Sequence, residues 1–159
     1  MTSDVTPGQS ETDLGWLLED FVGRVPGADS ALLASSDGIK LAVTGLTEGQ
    51  ADTLAAVMSG MHSLAKGIGK IAGSSGGGVR QIVAEHDAMN LFVMSAGDGL
   101  PAGVPVPLGS GPGTVGTVLG VLAAPDADPG VVGYEMATLI KSVAEHLLTP
   151  TRRSDGVLR

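Results

Sequence analysis

The chain contains no cysteine. Disulfides, thiolate zinc sites and cysteine nucleophiles are therefore all excluded. Aromatics are nearly as scarce: Trp16, Phe21, Phe92 and Tyr134 are the only ones in 159 residues, too few for a base-stacking surface. Positive charge is also short. Nine Lys and Arg stand against 17 Asp and Glu, for a net charge of −8. Such a chain repels phosphate backbones, so no nucleic-acid partner is expected. No apolar run approaches the roughly 18 residues of a membrane span, so no membrane insertion is expected either. The start, "MTSDVTPGQSETD", lacks the basic stretch and apolar core of a signal peptide, which makes the cytoplasm the expected location.

Chemistry-bearing motifs are missing too. His62, His86 and His146 fall in no metal-ligand spacing, and no G-x-S-x-G elbow occurs. His86-Asp87 reads as a solvated turn pair and His146 as a cation suited to the last turn of a helix. Glu85 and Asp87 define no cleft. No catalytic residue, no metal site and no cofactor are expected, and the chain does not read as an enzyme. Two glycine patterns imitate nucleotide loops. Gly69-Lys70 is followed by Ile71, and Leu64 stands where a Walker loop needs its first glycine. Gly111-Pro112-Gly113-Thr114-Val115-Gly116 matches G-x-G-x-x-G but precedes a strand; a dinucleotide fingerprint follows one and opens a helix.

What is present is a 43% apolar chain of single-domain length. Residues 1–12 and 151–159 read as disordered tails, the second carrying Arg152 and Arg153, around a folded unit over 13–150. Leu14, Leu17, Leu18, Phe21, Val22 and Val25 form one helical stripe, predicting a helix over 13–25 with Ser10 or Thr12 as cap and Pro26-Gly27 as stop. "ALLASSDGIKLAVT" is a hairpin turning at Ser36-Asp37-Gly38. Thr47 and Gln50 fit a capping box opening a helix over 48–72. "VRQIVAE" and "MNLFVMS" make a second hairpin, 79–85 and 89–95, and "TVLGVLA" (117–123) a fifth strand. Between them, 96–116 holds seven glycines and four prolines and reads as a long loop. Asp128-Pro129 starts a last helix with Val132, Met136, Leu139, Ile140, Val143 and Leu147 on its inner face. The order α-β-β-α-β-β-β-α implies one antiparallel sheet flanked by helices.

The long helix is the informative element. At 100° per residue, Leu54, Val57, Met58, Met61, Leu64, Ala65, Ile68 and Ala72 share one face, expected to lie on the sheet. Asp52, Ser59, His62, Lys66 and Lys70 occupy a polar side. Ala56, Gly60, Ser63 and Gly67 make a separate row, stepping by 4, 3 and 4. Small residues at that spacing let a second helix approach closely. A plain solvent face would be better served by Glu, Lys or Gln. A two-fold homodimer is the commonest way to cover such a row.

The stretches "WLLEDFVGRVPGADSALLASSDGIKLAVT", "ADTLAAVMSGMHSLAKGIGKIAG", "GGVRQIVAEHDAMNLFVMSAGDG" and "VGYEMATLIKSVAEHLLTPTRR" resemble the Roadblock/LC7 family in its actinobacterial form. The resemblance implies an α/β (α+β) fold, with a five-stranded antiparallel sheet carrying two helices on one face and the long helix on the other. It also implies a homodimer joined through long helices and edge strands into a ten-stranded sheet. Under it, Ala56, Gly60, Ser63 and Gly67 fall on the dimer helix, and Val79, Gln81 and Val83 on the edge strand. The implied partners are a Ras-like small GTPase and a histidine-kinase-like sensor, in a bacterial signalling role. The dimer would regulate the GTPase, in some relatives by stimulating GTP hydrolysis; the alternative is an adaptor that tethers its partner without affecting hydrolysis. Asp52, His62, Lys66 and Lys70 are the candidate partner contacts. Arg24 and Arg80, the core arginines, lie on no obvious loop for an arginine finger. A small-molecule sensor is a third, weaker alternative, since no convergent polar groups define a pocket. The family usually joins its last two strands by a short turn, where this chain has 96–116.

Overall fold

In the computed structural model, residues 9–73, 78–96 and 116–148 are described. The expected tail at 151–159, residues 1–8 of the expected N-terminal tail, and 97–115 of the expected long loop lie outside them. Four helical segments and five strands follow in the order α1 (Gln9–Arg24), β1 (Ala28–Ser35), β2 (Lys40–Thr44), α2 (Glu48–Ala65), α3 (Gly67–Ile71), β3 (Gln81–Glu85), β4 (Asn90–Ser95), β5 (Thr117–Ala123) and α4 (Pro129–Leu148). One mixed α/β domain results, built on a single five-stranded antiparallel sheet.

The strands lie in the order β2-β1-β5-β4-β3, and every neighbouring pair is antiparallel. The last strand in sequence is therefore the middle one in space. It lies between the two hairpins, with Leu32 opposite Gly120 and Val93 opposite the same glycine on its other side. β2 and β3 are left as the edges.

Alternation along β1 shows why the sheet is covered on both faces. Ala31 and Leu33 join Leu18, Phe21, Phe92, Val121, Val132 and Met136 in a core under α1 and α4. Leu32 and Ala34 join Ala51, Leu54, Met58, Val93 and Val118 in a second core under α2. Period-2 alternation sends successive side chains to opposite layers. Burying each large apolar side chain contributes about 1.5–3 kcal/mol.

Local chemistry sets the element ends. In the first hairpin the Ile39 amide donates to Ser35 Oγ at 3.0 Å, and Gly38 takes φ +96°, a region open to glycine. The capping box at Thr47 is complete: the Gln50 amide donates to Thr47 Oγ1 at 3.2 Å and the Thr47 amide to Gln50 Oε1 at 2.9 Å. Asp128 Oδ1 accepts from the Gly130 amide at 2.8 Å, capping α4.

Three expectations need correction. α1 begins at Gln9 rather than 13, so Ser10 and Thr12 lie inside the helix and cannot cap it. β3 begins at Gln81, leaving Val79 just before the strand. The expected single helix over 48–72 breaks after Ala65. Lys66 keeps right-handed helical angles, φ −58° and ψ −29°, and α3 continues from Gly67. Poor glycine propensity at Gly67 and Gly69 accounts for the weakness there.

Candidate functional site

The side of α2 that meets the sheet is defined by Ala51, Leu54, Ala55, Met58 and His62, all buried. The match with the expected inner face is partial. Leu54 and Met58 are there, but Val57, Leu64 and Ile68 are exposed, at 43%, 82% and 65%. Ala51 and Ala55 explain the shift. Their small side chains let the helix come down on a neighbouring strip of its surface, and Gly120 beneath it leaves room for Met58. A Cβ on Gly120 would stand 2.4 Å from the Met58 sulfur.

At about 100° per residue, the row Ala56, Gly60, Ser63 and Gly67 then points away from the sheet. Among the described residues, no other part of the chain comes within 4 Å of a Cβ built on Gly60 or Gly67. Val57, Leu64 and Ile68 border this row on the flank turned toward β3, and Ile71, 89% exposed, continues it. Small row and large apolar residues together fill an exposed arc of about 140°. The opposite flank faces β2, where Ser59 Oγ donates to the Ser36 carbonyl at 2.9 Å and Lys40 Nζ meets Asp52 Oδ1 at 2.6 Å.

The edge strand β3 lies on the side to which the apolar flank turns. Its two faces differ: Ile82 and Ala84 pack against the core under α2, while Gln81, Val83 and Glu85 are exposed. Between β3 and the α2–α3 joint runs a groove of about 770 Å³, lined by Lys66, Ile68, Val79, Arg80, Gln81 and Met94 among others. At the foot of α2 lies a smaller apolar pocket of about 460 Å³, lined by Leu46, Leu54, Val57, Met89 and Leu122, with Gln50, Thr53 and Asp29 also on its wall.

The expected partner contacts separate. Asp52, Lys66 and Lys70 are exposed, although Asp52 is engaged by Lys40. That pairing raises the Lys40 pKa above its usual 10.5. His62 is not on the polar side; it is 8% exposed and belongs to the sheet-facing surface. Burial pushes its imidazole below the usual 6.5, and the Lys66 charge acts in the same direction. Its distance of four positions from Met58 is the signal that would have placed it there. Arg24 ion-pairs with Asp20 and with Glu135, tying α1 to α4. Among the described residues no group of three or more His, Cys, Asp or Glu could hold a metal ion. No described helix is long and apolar enough to cross a membrane.

A family model, the Roadblock/LC7 domain, matches residues 14–104. A solved Roadblock/LC7 domain from Streptomyces avermitilis is 43% identical, covering 85% of this chain and 98% of that one, with a TM-score of 0.69. A second Roadblock/LC7 domain from the same organism is 30% identical over 81% of this chain and 96% of that one, with a TM-score of 0.57. The gliding protein MglB of Thermus thermophilus shares the fold at 20% identity, covering 92% and 97% of the two chains with a TM-score of 0.67. No curated protein matches the chain.

Proposed function

The chain belongs to the Roadblock/LC7 family, and on that premise we propose that it is a homodimeric platform regulating a Ras-like small GTPase, without being an enzyme itself. One observation carries the proposal. The exposed large apolar residues of the long helix flank the open edge β3, Ile68 sharing a groove with Arg80 and Gln81, and the small-residue row lies beside them. Contiguous apolar surface of this kind marks an interaction site, and an unpaired edge is a template for another strand. A second copy covers both at once, with Ala56, Gly60, Ser63 and Gly67 letting the helices close up and Gln81 and Val83 at the joined edges.

The paired helices then form a platform for the GTPase, with Asp52, Lys66 and Lys70 beside them as contacts. A histidine-kinase-like sensor is the further partner, and the cytoplasm the proposed location. An adaptor that binds without accelerating hydrolysis is the second reading. The engagement of Arg24 by Asp20 and Glu135 favours it, because an arginine finger must be free to reach the phosphates. Single-turnover GTP hydrolysis by the co-purifying small GTPase, with and without this protein, separates the two. Acceleration supports the regulator, binding at an unchanged rate supports the adaptor, and absence of binding removes both.

A further inference from the structure

We propose that Ile68 and Ile71 of one copy seat in the apolar pocket at the foot of α2 in the second copy, twice per dimer; the proposal rests on the homodimer above. Each feature is unexplained within one chain. The pocket of about 460 Å³ has an apolar lining of Leu46, Leu54, Val57, Met89 and Leu122, and stands open. Ile68 and Ile71, at the other end of the same helical rod, are 65% and 89% exposed.

Spacing supplies the link between them. Val57, Met61, Leu64 and Ile68 step by 4, 3 and 4. The series reads the same from either end about a centre between residues 62 and 63, with Met61 half-buried against the core under α2 and the other three exposed. A two-fold contact sets residue i against j and j against i. An antiparallel pairing centred between residues 62 and 63 therefore brings Val57 against Ile68 of the second copy, and Met61 against its Leu64. Continued outward in that register, Ile71 arrives opposite Leu54 and Thr53, at the pocket wall. A parallel pairing would set Ile71 beside its own copy and leave both pockets empty. The charges agree with the antiparallel choice. Glu48 and Asp52, the latter paired with Lys40 of its own chain, lie at one end of the rod, and Lys66 and Lys70 at the other, so an antiparallel pair brings unlike charges to the same end.

A chain without cysteine allows a clean test. In the variant Val57→Cys/Ile68→Cys the two sulfurs are separated by about 16 Å along one helix, whereas a disulfide needs Cα atoms within about 7 Å. Any bridge must join two copies. Mild oxidation is expected to give a reducible dimer band, absent when Trp16→Cys, on the outer side of α1, is treated the same way. Wild-type protein is measured alongside by light scattering against the chain mass of 15.8 kDa. A dimeric wild type whose double variant stays unlinked overturns the seat and leaves the dimer standing. A monomeric wild type at tens of micromolar overturns both. Independently, Ile71→Ser and Thr53→Trp should each weaken dimerisation about tenfold or more, by removing the knob and by obstructing the pocket. Both positions are exposed in the single chain, so neither change touches its core. Unchanged dissociation constants in both variants would also overturn the proposal.

Discussion

Replacing Gly120 with alanine tests the packing that seats α2. Gly120 lies in β5, the middle strand, directly beneath Met58. An added Cβ would stand 2.4 Å from the Met58 sulfur, 2.8 Å from its terminal carbon and 3.2 Å from Cγ. Met58 is wholly buried, among Leu32, Val93 and Val118 in the core under α2, so the thioether must find a new rotamer inside a filled space. Overpacking of this kind costs about 1–3 kcal/mol, or roughly 2–12 °C in Tm for a chain of this length. Met58→Ala alone should cost more, about 2–5 kcal/mol, through the cavity it leaves. The double variant should be milder than the sum by about 0.5–3 kcal/mol, because the new methyl occupies part of that cavity. Thermal and urea unfolding followed by circular dichroism, at one fixed protein concentration, would measure all four proteins. A Gly120→Ala variant as stable as wild type, or strictly additive energies, would refute the placement of Met58 over this glycine.

Four other outcomes are expected. Thr47→Ala removes the side-chain half of the capping box and should cost about 0.5–2 kcal/mol of stability; a smaller loss in urea titration would mean the cap is not limiting. Gly60→Leu should separate subunits, seen as a halved mass in light scattering with an unchanged circular dichroism spectrum, because no described residue of the same chain opposes the new side chain; a variant that keeps its full mass argues against the helix contact. The buried imidazole of His62 is held below 6.5, so the unfolded chain gains a proton first as pH falls. Stability should therefore decline below about pH 6.5, down to the folded-state pKa. His62→Gln should flatten that decline, and an identical slope in the variant would assign it to other groups. Ser30 Oγ is buried with no hydrogen-bond partner among the described residues; Ser30→Ala should be neutral or stabilising by about 1 kcal/mol, and a clear loss would reveal a partner for the hydroxyl.

The elements were legible wherever local chemistry decides them. Ser36-Asp37-Gly38, the Thr47/Gln50 box and Asp128-Pro129 each carry their own turn or cap, and the structure places an element boundary at every one. β5 was legible to the residue because a short continuous apolar run is bounded by Gly116 on one side and Pro125 on the other. The orientation of α2 was not. Its outer arc is as apolar as its inner one, so a helical period alone has two solutions, and only the sheet selects between them. His62 was misplaced for the same reason. Gly120 carries a signal of its own in the sequence, since an isolated glycine within a strand is the usual sign that something approaches closely, here Met58. Edge position for β3, in contrast, followed only from the family resemblance, since strand order in space is not written in any one segment.

The middle position of β5 also orders events during synthesis. Until the ribosome has passed Thr117, the two hairpins have no strand to join them. The inner edges of β1 and β4 then stay unpaired, and Leu33, Phe92 and Met58 lack one wall of their cores. The sheet closes late, through contacts between residues far apart in the chain, which slows folding. Nascent chains halted before Thr117 should accordingly be the species that chaperones hold and proteases clear.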